Sequence, residues 1–202
     1  FAENRAPMRT SFIVFPTASE AVPENDYTRS PFYRTLNGEW AFLRAERPGA
    51  EPEGFFRPGY DDSSWGVMPV PGIWELNGCG DPVYTNKPYP WHKFFEVKPP
   101  LIPHEQNYTG LYRRTVTVPA DWKGRDIFIH IGSATSNVTL WVNGREAGYN
   151  EDSKNPAQYR IDPLLRPGEN TLALKMTRWS TGSYLACLLY TSPSPRDYAA
   201  SR

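Results

Sequence analysis

The sequence has no excess of charge of either sign, few cysteines and no long apolar run. Lys plus Arg and Asp plus Glu both number 22 among the 202 residues, so the net charge is zero. Nucleic acids and acidic membranes favour a basic excess, which argues against either as the main partner. No apolar run approaches the length that spans a bilayer. The two cysteines, Cys79 and Cys187, belong to no cysteine-dense framework, so we expect no disulfide between them.

Motifs of cofactor and metal chemistry are missing from the sequence as well. It contains no Gly-x-Gly-x-x-Gly, no phosphate-binding Walker loop and no Cys-x-x-Cys. The three histidines, His92, His104 and His130, are too scattered to indicate a metal cluster or a catalytic triad. We interpret Asp61-Asp62 as part of a capped turn, because consecutive carboxylates on a turn point apart. We therefore assign no metal ligand and no catalytic residue.

Aromatic residues and prolines are abundant instead, with seven Trp, twelve Tyr and 21 Pro. Short segments with alternating apolar residues predict strands near residues 39–43, 109–118, 125–132, 137–142, 145–149, 159–161 and 172–176. Asn143-Gly144 separates two of these segments and is a strong hairpin signal. The chain has no long helical pattern and is long enough for one domain. We predict an all-β fold, a jelly-roll antiparallel β-sandwich.

The most distinctive segment is the loop between Pro71 and Trp91. Its prolines and glycines prevent a regular element from running through it. It is nevertheless dense in Trp, Tyr, Asn and Asp. A sugar ring lies on aromatic faces while its hydroxyls bond to amides and carboxylates, so this composition is typical of a sugar-binding loop. A surface loop whose aromatic residues only pack has the same composition, and we interpret Trp74 and Trp91 as packing residues.

The order of residues in the loop is Pro-Gly-x-Trp-Glu from Pro71, then Pro-x-Tyr-Thr-Asn-x-x-Tyr-Pro from Pro82. Other motifs occur elsewhere in the chain: Leu36-Asn37-Gly38-Glu39-Trp40, Tyr60-Asp61-Asp62-Ser63-Ser64-Trp65, Gly110-Leu111-Tyr112-Arg113-Arg114, Trp141-Val142-Asn143-Gly144 and Arg178-Trp179-Ser180-Thr181-Gly182-Ser183-Tyr184-Leu185. Taken in this order and spacing, over about residues 4–185, the set resembles the N-terminal domain of glycoside hydrolase family 2, specifically of its β-galactosidases.

The resemblance implies the same jelly-roll fold and a β-galactoside as the ligand. Asn86 matches the family asparagine that bonds substrate hydroxyls, so we predict that it binds substrate. Catalysis in the family uses two glutamates of a downstream (β/α)₈ barrel, which this chain lacks. We therefore expect the chain to be an inactive fragment of a retaining enzyme. Glu75 matches neither glutamate, and we interpret it as a capping or salt-linked residue.

The resemblance also bears on metals and assembly. It implies a divalent metal and sodium in the longer protein, and a homo-oligomeric assembly, but no cofactor in this fragment. The family often has Asp where this chain has Thr181, which puts that divalent-metal site in doubt here. A second family sugar contact, an aspartate beyond Leu185, is missing. A stand-alone carbohydrate-binding module, or a structural domain of a β-glucuronidase or β-mannosidase relative, remains an alternative.

We divide the chain into an N-terminal arm (1–30), the jelly-roll domain (31–185) and a tail (186–202). The tail departs from the family pattern, and we interpret it as non-native sequence. A Ser/Pro-rich linker is the alternative. The sequons at Asn107 and Asn137 are interpreted as chance occurrences. The sequence leaves open whether the compartment is the bacterial cytoplasm or the periplasm.

Overall fold

Eight strands and several very short helices make up the part of the fold that the structure describes. The computed structural model describes residues 13–21, 26–83 and 89–184. The strands are β1 (Gly38–Ala45), β2 (Gly66–Val70), β3 (Thr109–Thr117), β4 (Phe128–Ile131), β5 (Val138–Val142), β6 (Arg145–Asn150), β7 (Ala157–Arg160) and β8 (Glu169–Thr177). The helical elements are α1 (Ala18–Ala21) and four 3₁₀ turns, at Tyr27–Arg29, Glu75–Asn77, Ala120–Trp122 and Asp162–Leu164. In the described part of the chain, no helix is both long and apolar enough to cross a membrane.

The strands form two antiparallel sheets of unequal size. The large sheet has the order β2-β1-β3-β8-β5-β6, and the small sheet pairs β4 with β7. At the centre of the large sheet, β3 pairs with β8 over the full length of both strands, from Thr109↔Thr177 to Thr117↔Glu169. All the pairings are antiparallel. The prediction of an all-β antiparallel sandwich is confirmed.

The main core lies between the two sheets. Alternation along each strand directs one set of side chains inward. On β5, the fully buried side chains are Val138, Leu140 and Val142, as the alternating pattern predicts. The small sheet contributes Ile129 and Tyr159 to the same cluster. The other members of this core cluster include Trp40, Phe42, Met68, Tyr112, Leu172 and Leu174.

The β5–β6 hairpin closes through the predicted Asn143-Gly144 turn. Both residues have positive φ, 52° and 81°, and Val142 pairs directly with Arg145 across the turn. Positive φ at both central positions matches the right-handed twist of the strands. The Asn143 amide donates to the Leu164 carbonyl at 2.9 Å. The turn is therefore bonded to the 3₁₀ turn at Asp162–Leu164.

The strand β2 is an element that the sequence analysis did not predict. It is a five-residue edge strand, and Pro69 lies within it. Proline cannot donate to a ladder and is found on edge strands, where one N–H faces away from the sheet. Strand β4 is also shorter than the predicted 125–132 segment. The apolar alternation extends beyond the bounds of the strand, and Ile127 just before it still accepts a hydrogen bond from the Ile161 N–H at 2.8 Å.

The connector 46–65 covers the outer face of the large sheet. Phe55, Leu111 and Ala173 form a second buried cluster there. The buried Arg113 fastens the connector, since its guanidinium donates to the carbonyls of Phe55 and Arg57 and to the Asp62 carboxylate. The Nε–Oδ2 distance to Asp62 is 2.8 Å. The predicted capped turn at Asp61 is present, because the Ser63 N–H donates to Asp61 Oδ1 at 3.0 Å.

The described part of the N-terminal arm contacts the start of the domain, where the Tyr27 ring packs edge-on against the Tyr33 ring with ring centres 5.1 Å apart. Ser30 is buried, and its hydroxyl donates to the Val14 carbonyl at 2.5 Å. The indole N–H of Trp122 donates to the Pro31 carbonyl at 3.0 Å. The tail 186–202 lies outside the described residues, and the division of the chain at residues 30 and 185 stays a prediction.

Candidate functional site

The loop that begins at Pro71 lies on the large sheet through Trp74. The indole ring packs over Gly110 of β3, where an added Cβ would lie 2.2 Å from a ring carbon. The indole N–H donates to the hydroxyl of the buried Tyr112, and the ring is 6.0 Å from that of Phe42. Trp74 is therefore a packing residue, as predicted. The packing of Trp74 on β3 requires a glycine at position 110.

Behind Trp74 the loop makes one 3₁₀ turn, Glu75–Asn77, and reverses. Gly78 ends the turn at φ 75°, a left-handed conformation that glycine adopts without strain. The Cys79 N–H then donates to the Trp74 carbonyl at 2.9 Å. Burial raises the pKa of the Cys79 thiol, so the thiol stays protonated at neutral pH and has little nucleophilic character.

Arg178 ties the loop to the end of β8. Its guanidinium donates to the Asp81 carbonyl and lies 4.0 Å from the Glu75 carboxylate. The guanidinium carbon also lies 5.4 Å from the centre of the Tyr108 ring, whose hydroxyl donates to Asp81 Oδ2 at 3.4 Å. The interpretation of Glu75 as a salt-linked residue agrees with this geometry.

The far end of the loop enters an aromatic cluster. Trp91 is fully buried against Trp179 and Tyr184, with ring centres 5.4 Å and 5.3 Å away. Tyr89 stacks on Trp91 at 5.3 Å, and its hydroxyl donates to the Tyr184 carbonyl at 3.2 Å. Trp91 is thus also a packing residue. The cluster joins the loop to the motif that starts at Arg178.

Asn107 holds that motif in place, a role that the sequence analysis did not assign. Its side chain is buried; its amide donates to the Trp179 carbonyl at 3.1 Å and its carbonyl accepts from the Trp179 N–H at 2.8 Å. The only sequence signal at Asn107 was the sequon. Both sequon asparagines use their amides in the fold, since Asn137 Nδ2 donates to Thr177 Oγ1 at 2.7 Å. This agrees with the interpretation of the sequons as chance occurrences.

The predicted substrate-binding residue, Asn86, lies in the segment 84–88, outside the described residues. The structure describes the residues on both sides of that segment. Before the segment, Asp81 accepts hydrogen bonds from the Arg178 guanidinium and the Tyr108 hydroxyl. After the segment, the Tyr89 hydroxyl donates a hydrogen bond to the Tyr184 carbonyl. The base of the loop is therefore fixed at both ends by the same short stretch of chain, 178–184.

An open cavity of about 910 Å³ lies next to this loop, between the two sheets. Its lining is mainly apolar, including Trp40, Trp74 and Leu174. Glu75 is the one carboxylate among the described residues that line it, and it faces Arg178. A retaining glycosidase needs two carboxyl groups about 5 Å apart. The described lining does not supply such a pair.

Thr181 occupies the position at which the resemblance implies a metal-binding aspartate. Its hydroxyl donates to Glu151 Oε1 at 2.6 Å, and the Tyr149 hydroxyl donates to the other carboxylate oxygen. Burial and the nearby Glu151 carboxylate raise the pKa of Tyr149. Gly182 allows the approach, because a Cβ there would lie 2.4 Å from the Glu151 carbonyl oxygen. A hydroxyl thus stands where the resemblance implies a carboxylate, and both Glu151 oxygens accept hydrogen bonds.

The histidines remain apart in the fold. His92 Nδ1 lies 2.9 Å from the Tyr89 carbonyl, His104 is exposed beside Glu105, and His130 on β4 lies 3.2 Å from the Gln158 amide. Among the described residues there is no group of three or more His, Cys, Asp or Glu side chains placed to hold a metal ion.

Three comparisons with known proteins give the chain its place among families. Residues 33–188 match the family model described as glycosyl hydrolases family 2, sugar binding domain. The chain is 37% identical over 185 residues to a β-galactosidase of Priestia megaterium, covering 92% of this chain and 18% of that protein. It is 44% identical over 156 residues to a β-galactosidase of Pectobacterium atrosepticum, covering 75% and 14%. The chain thus spans less than a fifth of the length of these relatives.

Solved structures share the fold. A calcium-binding mutant of β-glucuronidase 2 from Bacteroides uniformis matches with a TM-score of 0.51 and 26% identity, over 70% of this chain and 14% of that one. A family 2 glycosyl hydrolase from Bacteroides cellulosilyticus matches with a TM-score of 0.52 and 24% identity, over 72% and 17%. The family match covers more than half of the chain, so the protein belongs to glycosyl hydrolase family 2, as its sugar-binding domain.

Proposed function

We propose that this chain is the sugar-binding domain of a β-galactosidase and that Asn86 contributes hydrogen bonds to the hydroxyls of the galactoside. An asparagine amide suits this contact, because it offers two donors and an acceptor on one rigid plane. The observation that supports the proposal is that hydrogen bonds hold the loop on both sides of the segment that contains Asn86. The bonds from Arg178 to Asp81 and from Tyr89 to Tyr184 hold the residues on both sides of Tyr84-Thr85-Asn86.

The proposal assigns bond cleavage to another part of the longer protein. Glu75, the carboxylate in the cavity, faces a guanidinium rather than a second carboxyl group. A retaining mechanism requires an acid/base and a nucleophile at close range. We propose that two glutamates of a catalytic barrel outside these 202 residues supply them. This domain then selects the sugar without cutting it.

Two alternatives to this proposal are a stand-alone carbohydrate-binding module and a domain of a β-glucuronidase. A stand-alone binding module needs an exposed aromatic platform, but the loop tryptophans Trp74 and Trp91 are used in packing. A β-glucuronidase origin is suggested by the names of several structural neighbours. The relatives at 34–44% identity are named β-galactosidases, and the Tyr84-Thr85-Asn86 motif favours that origin.

Metals take no part in the proposed role of this chain. The resemblance implies a divalent metal and sodium in the longer protein, and Thr181 is the family position for the divalent metal. In this chain Thr181 donates to Glu151, whose other oxygen is also bonded. The described side chains at this position therefore do not fit that ion. The homo-oligomeric state implied by the resemblance stays a prediction.

The test replaces the matching N-terminal part of the Priestia megaterium β-galactosidase with this chain's residues and measures turnover of a nitrophenyl β-galactoside. In this hybrid enzyme, we expect Asn86→Ala to lower kcat/KM at least about fivefold, because one substrate hydrogen bond is worth about 1 kcal/mol or more. Binding of a galactoside inhibitor should weaken in parallel.

The matched control is Asn155→Ala. Asn155 is exposed, and its amide bonds to Asp152 at 2.9 Å. We expect kcat/KM within twofold of the unmodified hybrid. Equal kinetics for the Asn86 and Asn155 variants would remove the sugar contact from the proposal. An active hybrid that prefers a glucuronide would favour the alternative origin.

A further inference from the structure

Three side chains, Tyr149, Glu151 and Thr181, join the end of β6 to the turn that follows β8. The Thr181 hydroxyl donates to Glu151 Oε1 at 2.6 Å, and the Tyr149 hydroxyl donates to Glu151 Oε2. Hydrogen bonds to a carboxylate are about twice as strong as those between neutral groups. The cluster therefore connects two segments that lie 30 residues apart along the chain.

The backbone brings these two segments into direct contact at Gly182. A Cβ added there would lie 2.4 Å from the Glu151 carbonyl oxygen, so a larger residue would push the segments apart. The turn is closed by the Ser183 N–H, which donates to the Ser180 carbonyl at 2.9 Å. In return, the Ser180 N–H donates to the Ser183 hydroxyl oxygen at 3.0 Å. A closed turn thus presents the Thr181 hydroxyl to Glu151.

The groups at this junction differ from those that the resemblance to family 2 implies. The resemblance implies an aspartate at position 181 that takes part in binding a divalent metal. Mg²⁺ and Ca²⁺ prefer oxygen ligands, and the number of charged ligands sets their affinity. Here the turn supplies a neutral hydroxyl, and both oxygens of Glu151 already accept hydrogen bonds. The neighbouring carboxylate, Asp152, accepts from the Asn155 amide at 2.9 Å.

We propose that hydrogen bonds replace the ion in this chain. Thr181 binds Glu151 directly, and the junction between β6 and the turn at residues 180–184 is held without a divalent cation. This turn belongs to the stretch 178–184 that holds the candidate loop on both sides. The base of that loop is then independent of divalent cations as well. The proposal does not depend on galactoside binding or on Asn86.

The first test compares the melting temperature of the 202-residue chain in EDTA with that in about 10 mM MgCl₂ or CaCl₂, because an ion that binds only the folded chain would stabilise it. We expect the two values to agree within about 1 °C. Thr181→Val removes the hydroxyl and should lower the melting temperature by about 2–4 °C in both buffers. Thr181→Ser keeps the hydroxyl and should lower it less.

Amide hydrogen exchange supplies a local measurement. The Tyr184 N–H donates to the Thr181 carbonyl at 3.2 Å and reports on the turn. We expect its exchange to become at least about fivefold faster in Thr181→Val, because the turn loses its bond to Glu151. In Thr181→Ser its exchange should stay close to that of the unmodified chain.

The second test restores the implied carboxylate. Thr181→Asp places a second negative charge against Glu151, so the melting temperature in EDTA should fall below that of the unmodified chain. A divalent cation can then bind both carboxylates and should raise it by at least about 3 °C. Thr115→Asp is the matched control, because Thr115 is exposed on β3 and pairs with Thr171 rather than with an acidic residue. Its melting temperature should be the same in both buffers.

Two kinds of result would overturn the proposal. One is a melting temperature of the unmodified chain that rises with the cation and loses this rise in Glu151→Gln, because the ion would then bind at Glu151. The other is a Thr181→Val variant as stable as the unmodified chain, or a Thr181→Asp variant that does not respond to the cation. In either case the hydroxyl at position 181 would not be what replaces the metal.

Discussion

Two buried tyrosines in the main core differ in one hydrogen bond. The hydroxyl of Tyr112 accepts the indole N–H of Trp74, whereas the buried hydroxyl of Tyr159 has no hydrogen-bond partner in the described fold. Burial raises the pKa of each to about 12. A buried polar group without a partner costs free energy, so the two hydroxyls should contribute with opposite sign to stability.

We predict that Tyr112→Phe lowers the free energy of unfolding by about 1 kcal/mol, because the Trp74 N–H loses its acceptor. Tyr159→Phe should leave it unchanged or raise it by up to about 1 kcal/mol, because an unpaired hydroxyl is removed. Urea unfolding at about pH 8 measures both. A Tyr159→Phe variant that is the less stable of the two contradicts the prediction.

The raised pKa values of Tyr112 and Tyr159 also predict how the stability of the fold changes at alkaline pH. The folded state favours the neutral phenol, so its pKa is higher folded than unfolded, about 12 against 10.0. The stabilisation is complete below pH 10 and is lost as the pH rises toward 12. Each Phe variant should lose less stability over this range than the unmodified chain, as urea midpoints at several pH values will show.

At the scale of elements, strand β3 and the candidate loop depend on each other through Gly110 and Trp74. A Cβ at Gly110 would overlap the indole ring at 2.2 Å. At Gly66 on the edge strand β2, the nearest atom to a Cβ, the Phe42 carbonyl oxygen, would be 3.7 Å away. One glycine is therefore required by packing and the other is not.

We predict that Gly110→Ala lowers the free energy of unfolding by about 1–3 kcal/mol, because Trp74 must leave its place on β3. Gly66→Ala should be neutral or slightly stabilising, because alanine restricts the unfolded chain and fits without overlap. Urea unfolding measures the energies, and near-ultraviolet circular dichroism reports the tryptophan environment. Similar losses of unfolding free energy in both variants would show that overlap with Trp74 is not the reason why Gly110 is required.

Elements were predictable where a local pattern carries the information. The inward face of β5 and the Asn143-Gly144 turn follow from alternation and from the need for positive φ. The short strand β2 was missed because Pro69 argues against a strand unless the edge position is known. That position is a property of the sheet, since β2 bonds on one side to β1 alone.

At the scale of the whole molecule, the separation of binding from catalysis can be tested directly. The described cavity lining offers Glu75 as its single carboxylate. We predict that purified residues 1–202 release no nitrophenol from a nitrophenyl β-galactoside above the uncatalysed rate, because an acid/base and a nucleophile are both required. A colorimetric assay at high protein concentration measures this, with the hybrid enzyme as the positive control. Turnover that follows the purified chain through a second column would overturn the division of roles.

The candidate site was partly visible in the sequence. The residue order around Trp74 and Asn86 pointed to the sugar-binding domain of family 2, and the family match confirms that origin. The roles of Asn107 and Arg178 were not visible. Their partners, Trp179 and Asp81, are 72 and 97 residues away along the chain, and no local pattern specifies a contact at that separation.

The sequence by itself determined the all-β class, the inward faces of the strands, the hairpin turn and the family. Each of these depends on neighbouring residues, through the two-residue period of a strand and the φ angles of a turn. Only the tertiary structure decided the unequal sheets and the fixation of the loop by residues 178–184. These depend on which distant segments meet, because burial and hydrogen bonding act between surfaces that the order of residues alone does not bring together.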